Sequence, residues 1–247
     1  MSGKYGNIIR KTGVIVFWLV LWQFTSMLIQ NRIVFVGPIE AGRALAGQIG
    51  TGDFWITIGH TMFKIAGGFL MAFITGILLG LAAYRFRFIK ELLEPVILLF
   101  ESVPVASFVI VALIWIGSRN LSVFISFLVV LPLIYINTLH GFESADRKML
   151  EMAEVFHIRP LRKLIYIYRP YVYPHLVSGC SVALGMCWKS GIAAEVIGVP
   201  AHSIGEKLYM AKIYLSTADL FAWTFVIIII SMLFERLFML LLRQLGK

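Results

Sequence analysis

Glu101, Lys189 and Glu195 stand inside long apolar runs of the chain, and a strongly charged stretch from Glu151 to Arg169 separates two of those runs. A charge at the centre of a lipid bilayer costs roughly 2.5–3.5 kcal/mol on insertion scales, so each such residue needs a water-filled pathway, a partner charge or the membrane surface. Glu101 precedes Pro104 in its run. Lys189 lies about 20 Å along its helix from Pro174, at about 1.5 Å per residue, too deep for easy snorkelling. An ion pair between Glu101 and Lys189 and a pathway-lining role for both remain open. A pathway-lining Lys189 favours a polar or anionic solute. Glu195, about one turn from the end of its run at 3.6 residues per turn, suits an interface or a gate. Other chemistries lack their residues. The chain has no G-x-x-x-x-G-K-[ST] phosphate loop and no H-E-x-x-H pair, and its five histidines are scattered. These groups suit passage of a solute rather than the making and breaking of bonds, so no enzyme is expected.

The elements that must position them are membrane helices. Of the 247 residues 60% are hydrophobic and 14% charged, and the mean hydropathy is +0.88, which describes an all-α polytopic domain covering 1–247 rather than a soluble globule. About six runs reach the ~20 residues that cross the hydrocarbon core: Gly13–Gln30, Ile56–Tyr84, Leu92–Gly117, Leu121–Leu139, Leu176–Val199 and Leu220–Leu242. Pro104 and Pro132 are expected to kink their helices. Trp55, Trp115 and Trp223 fall near span ends and read as headgroup anchors. Two connections carry structure of their own: an interfacial helix over Ile39–Ile49, and partial order between Pro200 and Asp219. The first run continues to about Gln30 with no small-residue cleavage site after it, so it reads as an uncleaved helix. Cys180 and Cys187 are seven residues apart on one helix, roughly 10 Å along its axis and out of reach of a disulfide.

The net charge of +9 is unevenly distributed. Fifteen Lys and Arg residues fall in the N-terminal tail, the Arg85–Lys90 connection, the Arg147–Arg169 loop and the C-terminal end, against five in the opposite connections. The positive-inside rule places both termini and the charged loop in the cytoplasm of a cell (inner or plasma) membrane protein. No soluble fold is available to present a basic stripe to nucleic acid.

The loop, about 143–170, resolves into two short helices. Asp146 is a candidate N-cap, and Met149, Leu150, Ala153 and Phe156 follow at helical spacing. Pro160 suits the first turn of a second helix, where Leu161, Leu164, Ile165 and Tyr168 continue the period and Pro170 closes the segment. Each helix has an apolar face that needs a cover: its own membrane domain, the membrane surface or a groove in a partner.

The same loop resembles the cytoplasmic E-A-A loop of ATP-binding cassette importer permeases: E-A-A, three residues, Gly, nine residues, Ile, any residue, Leu-Pro. Glu151, Ala153, Ile167 and Pro170 match; Met152, His157 and Arg169 depart from it. His tolerates the left-handed backbone that the family glycine implies. The Gly67-Gly68, Gly76 and Gly80 pattern resembles the nitrate/sulfonate/taurine-type branch. So do Glu94-Pro95, Ser102-Val-Pro104, Ala193-Ala-Glu195 with Gly198, and then Ala211, Thr217 and Ala222. Together these matches run from about Trp55 to the end.

The resemblance implies a transmembrane permease subunit that forms a substrate pathway with a second permease copy, most simply a homodimer in membrane lipid. It implies a separate cytoplasmic ATP-binding cassette ATPase, which uses the ATP, so that this chain binds no cofactor. An extracytoplasmic substrate-binding protein would deliver a small polar or anionic solute or a vitamin precursor. The ATPase would be coupled through Glu151, Met152, Ala153, Phe156, His157, Ile158, Arg159 and Pro160. An autonomous secondary transporter or channel is the alternative, and it would usually carry an internal repeat, which this chain lacks.

Overall fold

A computed structural model describes residues 2–29, 31 and 33–245; of the expected spans, only the last residue of the first, Gln30, lies outside them. The described residues form eleven α-helices: α1 (Ser2–Ile29), α2 (Pro38–Ile49), α3 (Gly52–Arg85), α4 (Arg87–Ser102), α5 (Val105–Ile116), α6 (Leu121–Glu143), α7 (Arg147–Val155), α8 (Pro160–Lys163), α9 (Arg169–Gly198), α10 (Ile204–Ile213) and α11 (Thr217–Leu245). Five segments are long and apolar enough to cross a membrane by themselves. The charged loop defines one end of the bundle, the loop end; α2 and α10 lie at the far end.

The core is built on α6, which packs between α3 and α9. Glycines allow the first of these contacts: a Cβ on Gly76 would lie 2.9 Å from the Ile134 side chain, and one on Gly80 would lie 2.8 Å from that of Thr138. Close helix approach through small residues compensates for the absence of a hydrophobic drive between helices in lipid. The Gly76-x-x-x-Gly80 spacing therefore serves packing. Phe69, Leu184, Trp188 and Phe234 fill the centre. Cys180 and Cys187 are free and buried. One edge of α1 packs on the rest of the chain: Trp22 donates its indole N–H to the Val36 carbonyl (3.0 Å), and its ring lies 5.4 Å from that of Phe221.

The sequence expectations need three corrections. The span over Leu92–Gly117 is not one kinked helix but two helices bent by 107°. Pro104 has no N–H to continue the ladder and pushes Val103 out of the helical region, to φ −77° and ψ 127°. By contrast α6 runs without a break through Pro132, held on both sides by α3 and α9. Trp223 is no headgroup anchor: it is buried, its ring 5.2 Å from that of Phe54. Finally, Pro170 does not close the loop. The chain runs continuously helical from Pro160 to Gly198, through a π-helical turn over Leu164–Tyr168 in which the Arg169 N–H reaches the Leu164 carbonyl. That widened turn directly precedes Pro170, whose ring and missing N–H would otherwise interrupt the helix.

Candidate functional site

At the loop end, local chemistry sets the geometry. The Asp146 carboxylate caps α7 by accepting the Lys148 N–H at 2.9 Å, satisfying one of the helix's orphan donors. The other end of α7 closes on His157, at φ +49°. The Ile158 N–H donates to the Ala153 carbonyl (2.9 Å) and the His157 N–H to that of Glu154 (3.0 Å), the paired bonds of a left-handed helix cap. Pro160 then opens α8 at its first turn. Ion pairs brace the loop: Arg147 with Glu151 at 3.4 Å within α7, and Lys163 with Glu154 at 3.8 Å between the two short helices. The return to the bundle is fixed by the rings of Tyr84, Phe142 and Tyr168, centroids 5.3–5.6 Å apart, and by a 3.2 Å contact between the Tyr84 and Tyr168 hydroxyls.

This frame sorts the apolar residues of α7 into two sets. Ala153 is 0% exposed and Leu150 half-buried, whereas Val155 and Phe156 are 74% and 73% exposed. Met149 and Met152 are also exposed. The face expected from Met149, Leu150, Ala153 and Phe156 is thus divided, and only its Leu150–Ala153 half is covered by the chain. Val155, absent from the sequence-based set, belongs to the open strip. Glu151, His157, Arg159 and Pro160 are exposed beside it and Ile158 is half-buried. Next to the strip lies a hollow of about 550 Å³ bordered by Phe156, His157, Arg159, Arg162 and Tyr166. An apolar strip rimmed by charged groups and held rigidly by two caps suits the surface of a protein partner.

Within the spans, Glu101 and Lys189 are both exposed on the single chain. Neither takes part in an ion pair among the described residues, so the Glu101–Lys189 pair is not made within one chain. The two nonetheless lie at a similar level of α6. The chain around the α4–α5 break borders Ile125 and Leu128, and Gly191, half a turn from Lys189, abuts Ser126. Around Lys189 the open stripe of α9 is made of Ser178, Ser181, Gly185 and Ala193 together with the apolar Val182 and Met186.

Glu195 occupies a different setting. It is 0% exposed, so it forms no part of an open face. Its Oε2 accepts the Thr61 hydroxyl at 2.9 Å and the Gly205 N–H at 3.3 Å. Thr61 Oγ1 in turn accepts the Ile204 N–H at 2.9 Å. Thr61 and Gly205 were not singled out from the sequence; the signal was Thr57 and Thr61, two hydroxyl residues one turn apart in an apolar run. Among the described residues no group of three or more metal-binding side chains comes together.

Comparison with known proteins agrees with this architecture. The chain is 23% identical to the putative aliphatic sulfonates transport permease of Bacillus subtilis (strain 168), over 93% of this chain and 83% of that protein. It is 24% identical to the taurine transport system permease of Escherichia coli (strain K12), over 90% and 83%. With the bicarbonate transport system permease of Synechococcus elongatus it shares 26% identity over 78% and 73%. Residues 72–247, which hold the helices packed on α6, the charged loop and α10, match the family of binding-protein-dependent transport system inner membrane components. The chain belongs to that family, as a permease subunit of an ATP-binding cassette importer of the nitrate/sulfonate/taurine branch.

Proposed function

We propose that Glu151, Met152, Ala153, Phe156, His157, Ile158, Arg159 and Pro160 form the surface through which this permease grips its cytoplasmic ATPase. The observation that carries the reading is the open strip of Met149, Met152, Val155 and Phe156 on a helix fixed at both ends. Ala153 seats the helix on its own chain, Glu151 rims the strip, and the cap at His157 turns the chain toward Arg159 and Pro160. Both termini then lie in the cytoplasm with the loop, in a cell membrane, in keeping with the clustering of Lys and Arg. ATP belongs to the partner, since this chain has no phosphate loop.

A second copy of the chain completes the pathway. Glu101 and Lys189 face it from the α4–α5 break and from α9, because an unpaired charge is costly against lipid and the small residues beside Lys189 allow a second helix to approach. The relatives' names speak of sulfonates, taurine and bicarbonate; with Lys189 on the pathway, a small polar or anionic solute fits, delivered by an extracytoplasmic binding protein.

Glu151→Lys tests the coupling surface. It should lower copurification of the ATPase at least roughly tenfold, the range of a like-charge mismatch in an interface, and leave membrane insertion unchanged because Glu151 is exposed. Normal ATPase association together with normal uptake would remove the loop from this role.

A further inference from the structure

We infer that Glu195 is a positioning residue that makes α10 move as one body with α9 and α3, and so carries loop-end motion to the far end of the permease. The inference rests on the coupling role proposed for the Glu151 loop and extends it across the membrane.

The chain stays helical from Pro160 to Gly198, through the π-helical turn at Leu164–Tyr168, and so leads from the loop into the far end with no non-helical break. There it stops abruptly. Val199 takes the left-handed conformation at φ +45° and His202 lies at φ +56°, and this tight turn folds α10 back against α9. Three buried hydrogen bonds converge on the fold-back: Thr61 of α3 and Gly205 of α10 both donate to Glu195 Oε2 of α9, and Ile204 of α10 donates to Thr61 Oγ1. One carboxylate oxygen and one hydroxyl therefore join three helices and satisfy two of the N–H groups that the start of α10 leaves without intrahelical partners. Ser203 caps the same turn by accepting the Glu206 N–H at 3.0 Å. Packing reinforces the junction: a Cβ on Gly205 would overlap the Glu195 side chain and backbone, so only glycine lets α10 approach this closely.

A joint buried this completely, in a setting where each bond left unmade costs its full desolvation penalty, resists shear between α10 and α9. Motion of α9 is then delivered to α10 instead of being lost in the turn at Val199. Glu195 contacts no open face, so its contribution is to position α10 rather than to touch the solute.

The test uses the assembled transporter with its ATPase and binding protein in proteoliposomes. It reads uptake per ATP hydrolysed and the labelling rate of a cysteine at Lys212, an exposed residue of α10. In the otherwise wild-type protein that rate should change between nucleotide-free and ATP-bound states. Glu195→Leu and Thr61→Val should lower uptake per ATP about tenfold, the population shift expected for one to two lost hydrogen bonds, and make Lys212→Cys labelling insensitive to nucleotide. Glu195→Gln, which keeps an acceptor oxygen, and Thr61→Ser should stay near wild type. Should Glu195→Leu fail to assemble, the Thr61 pair decides alone. Wild-type uptake per ATP in Thr61→Val overturns the inference, as does a Lys212→Cys rate that never responds to nucleotide, or a Glu195→Gln as impaired as the leucine variant. Failure of the coupling surface itself would look different: it would show in Glu151→Lys as undiminished ATPase association, whatever the state of the Glu195 junction.

Discussion

The two ends of α9 are built on opposite principles. At the loop end the groups that matter point outward: Val155 and Phe156 are uncovered, and the ion pairs Arg147–Glu151 and Lys163–Glu154 are exposed or half-exposed, worth little in water. At the far end an open ion pair of Asp53 with Lys207 lies outside a buried polar cluster, in which Glu195, Thr61 and Ser203 are bonded to one another or to α10. Both ends turn the chain with a left-handed residue that is not glycine, His157 in one case and Val199 in the other. The difference teaches how each end is held: the far end closes a buried junction with groups of its own chain, whereas the loop end presents a stiff, uncovered strip.

The contrast can be broken most sharply by asking which side of the membrane each end faces. A cysteine at Lys148 should react with an impermeant maleimide only after the cytoplasmic face is opened, and one at Lys212 should react in intact cells. The expected difference is all or none, and reversed labelling would deny the loop its ATPase.

Between the two ends, Lys189→Met sharpens the assignment of the middle of α9. Because Lys189 and Glu101 make no ion pair among the described residues, the substitution should leave detergent stability unchanged and lower uptake about tenfold, the scale of one lost charge-assisted contact to a solute. Adding Glu101→Gln should not restore uptake. Full restoration by the double variant would mean that the two charges meet across copies and serve only to neutralise each other.

The smallest effect compares the two caps directly. Val199→Gly and His157→Gly both remove a Cβ from a left-handed position, at a gain of about 1 kcal/mol each, with valine the more strained because it is β-branched. Thermal unfolding in detergent should therefore rise more for Val199→Gly than for His157→Gly. The reverse order would show that the far-end turn is held by the Glu195 junction so firmly that its backbone strain is immaterial.

Much of the loop is legible in the amino-acid sequence. Asp146 and Pro160 announce a cap and a helix start through their own side chains and backbones, the resemblance to the E-A-A loop implies a left-handed turn at His157, and the structure places all three in those conformations. The short helix at Ile39–Ile49 also appears, as α2, and the order expected between Pro200 and Asp219 takes the form of α10. Residues whose meaning depends on a distant neighbour were not readable in this way. Glu195 looks like a charge near a span end until Thr61, 134 positions away, and Gly205 close around it. Trp223 looks like an anchor until Phe54 covers it.

The amino-acid sequence by itself determined the number and length of the apolar runs, the uneven placement of Lys and Arg between their connections and the local shape of the loop. These follow from transfer energies and backbone preferences, which act residue by residue and need no fold. Tertiary structure alone decided that the Pro104 run breaks by 107° while the Pro132 helix runs on. It also decided that α9 passes through Pro170 without stopping, and that half of the α7 apolar face stays open. In each case two local preferences compete at similar cost, and packing against helices remote in sequence settles which one prevails.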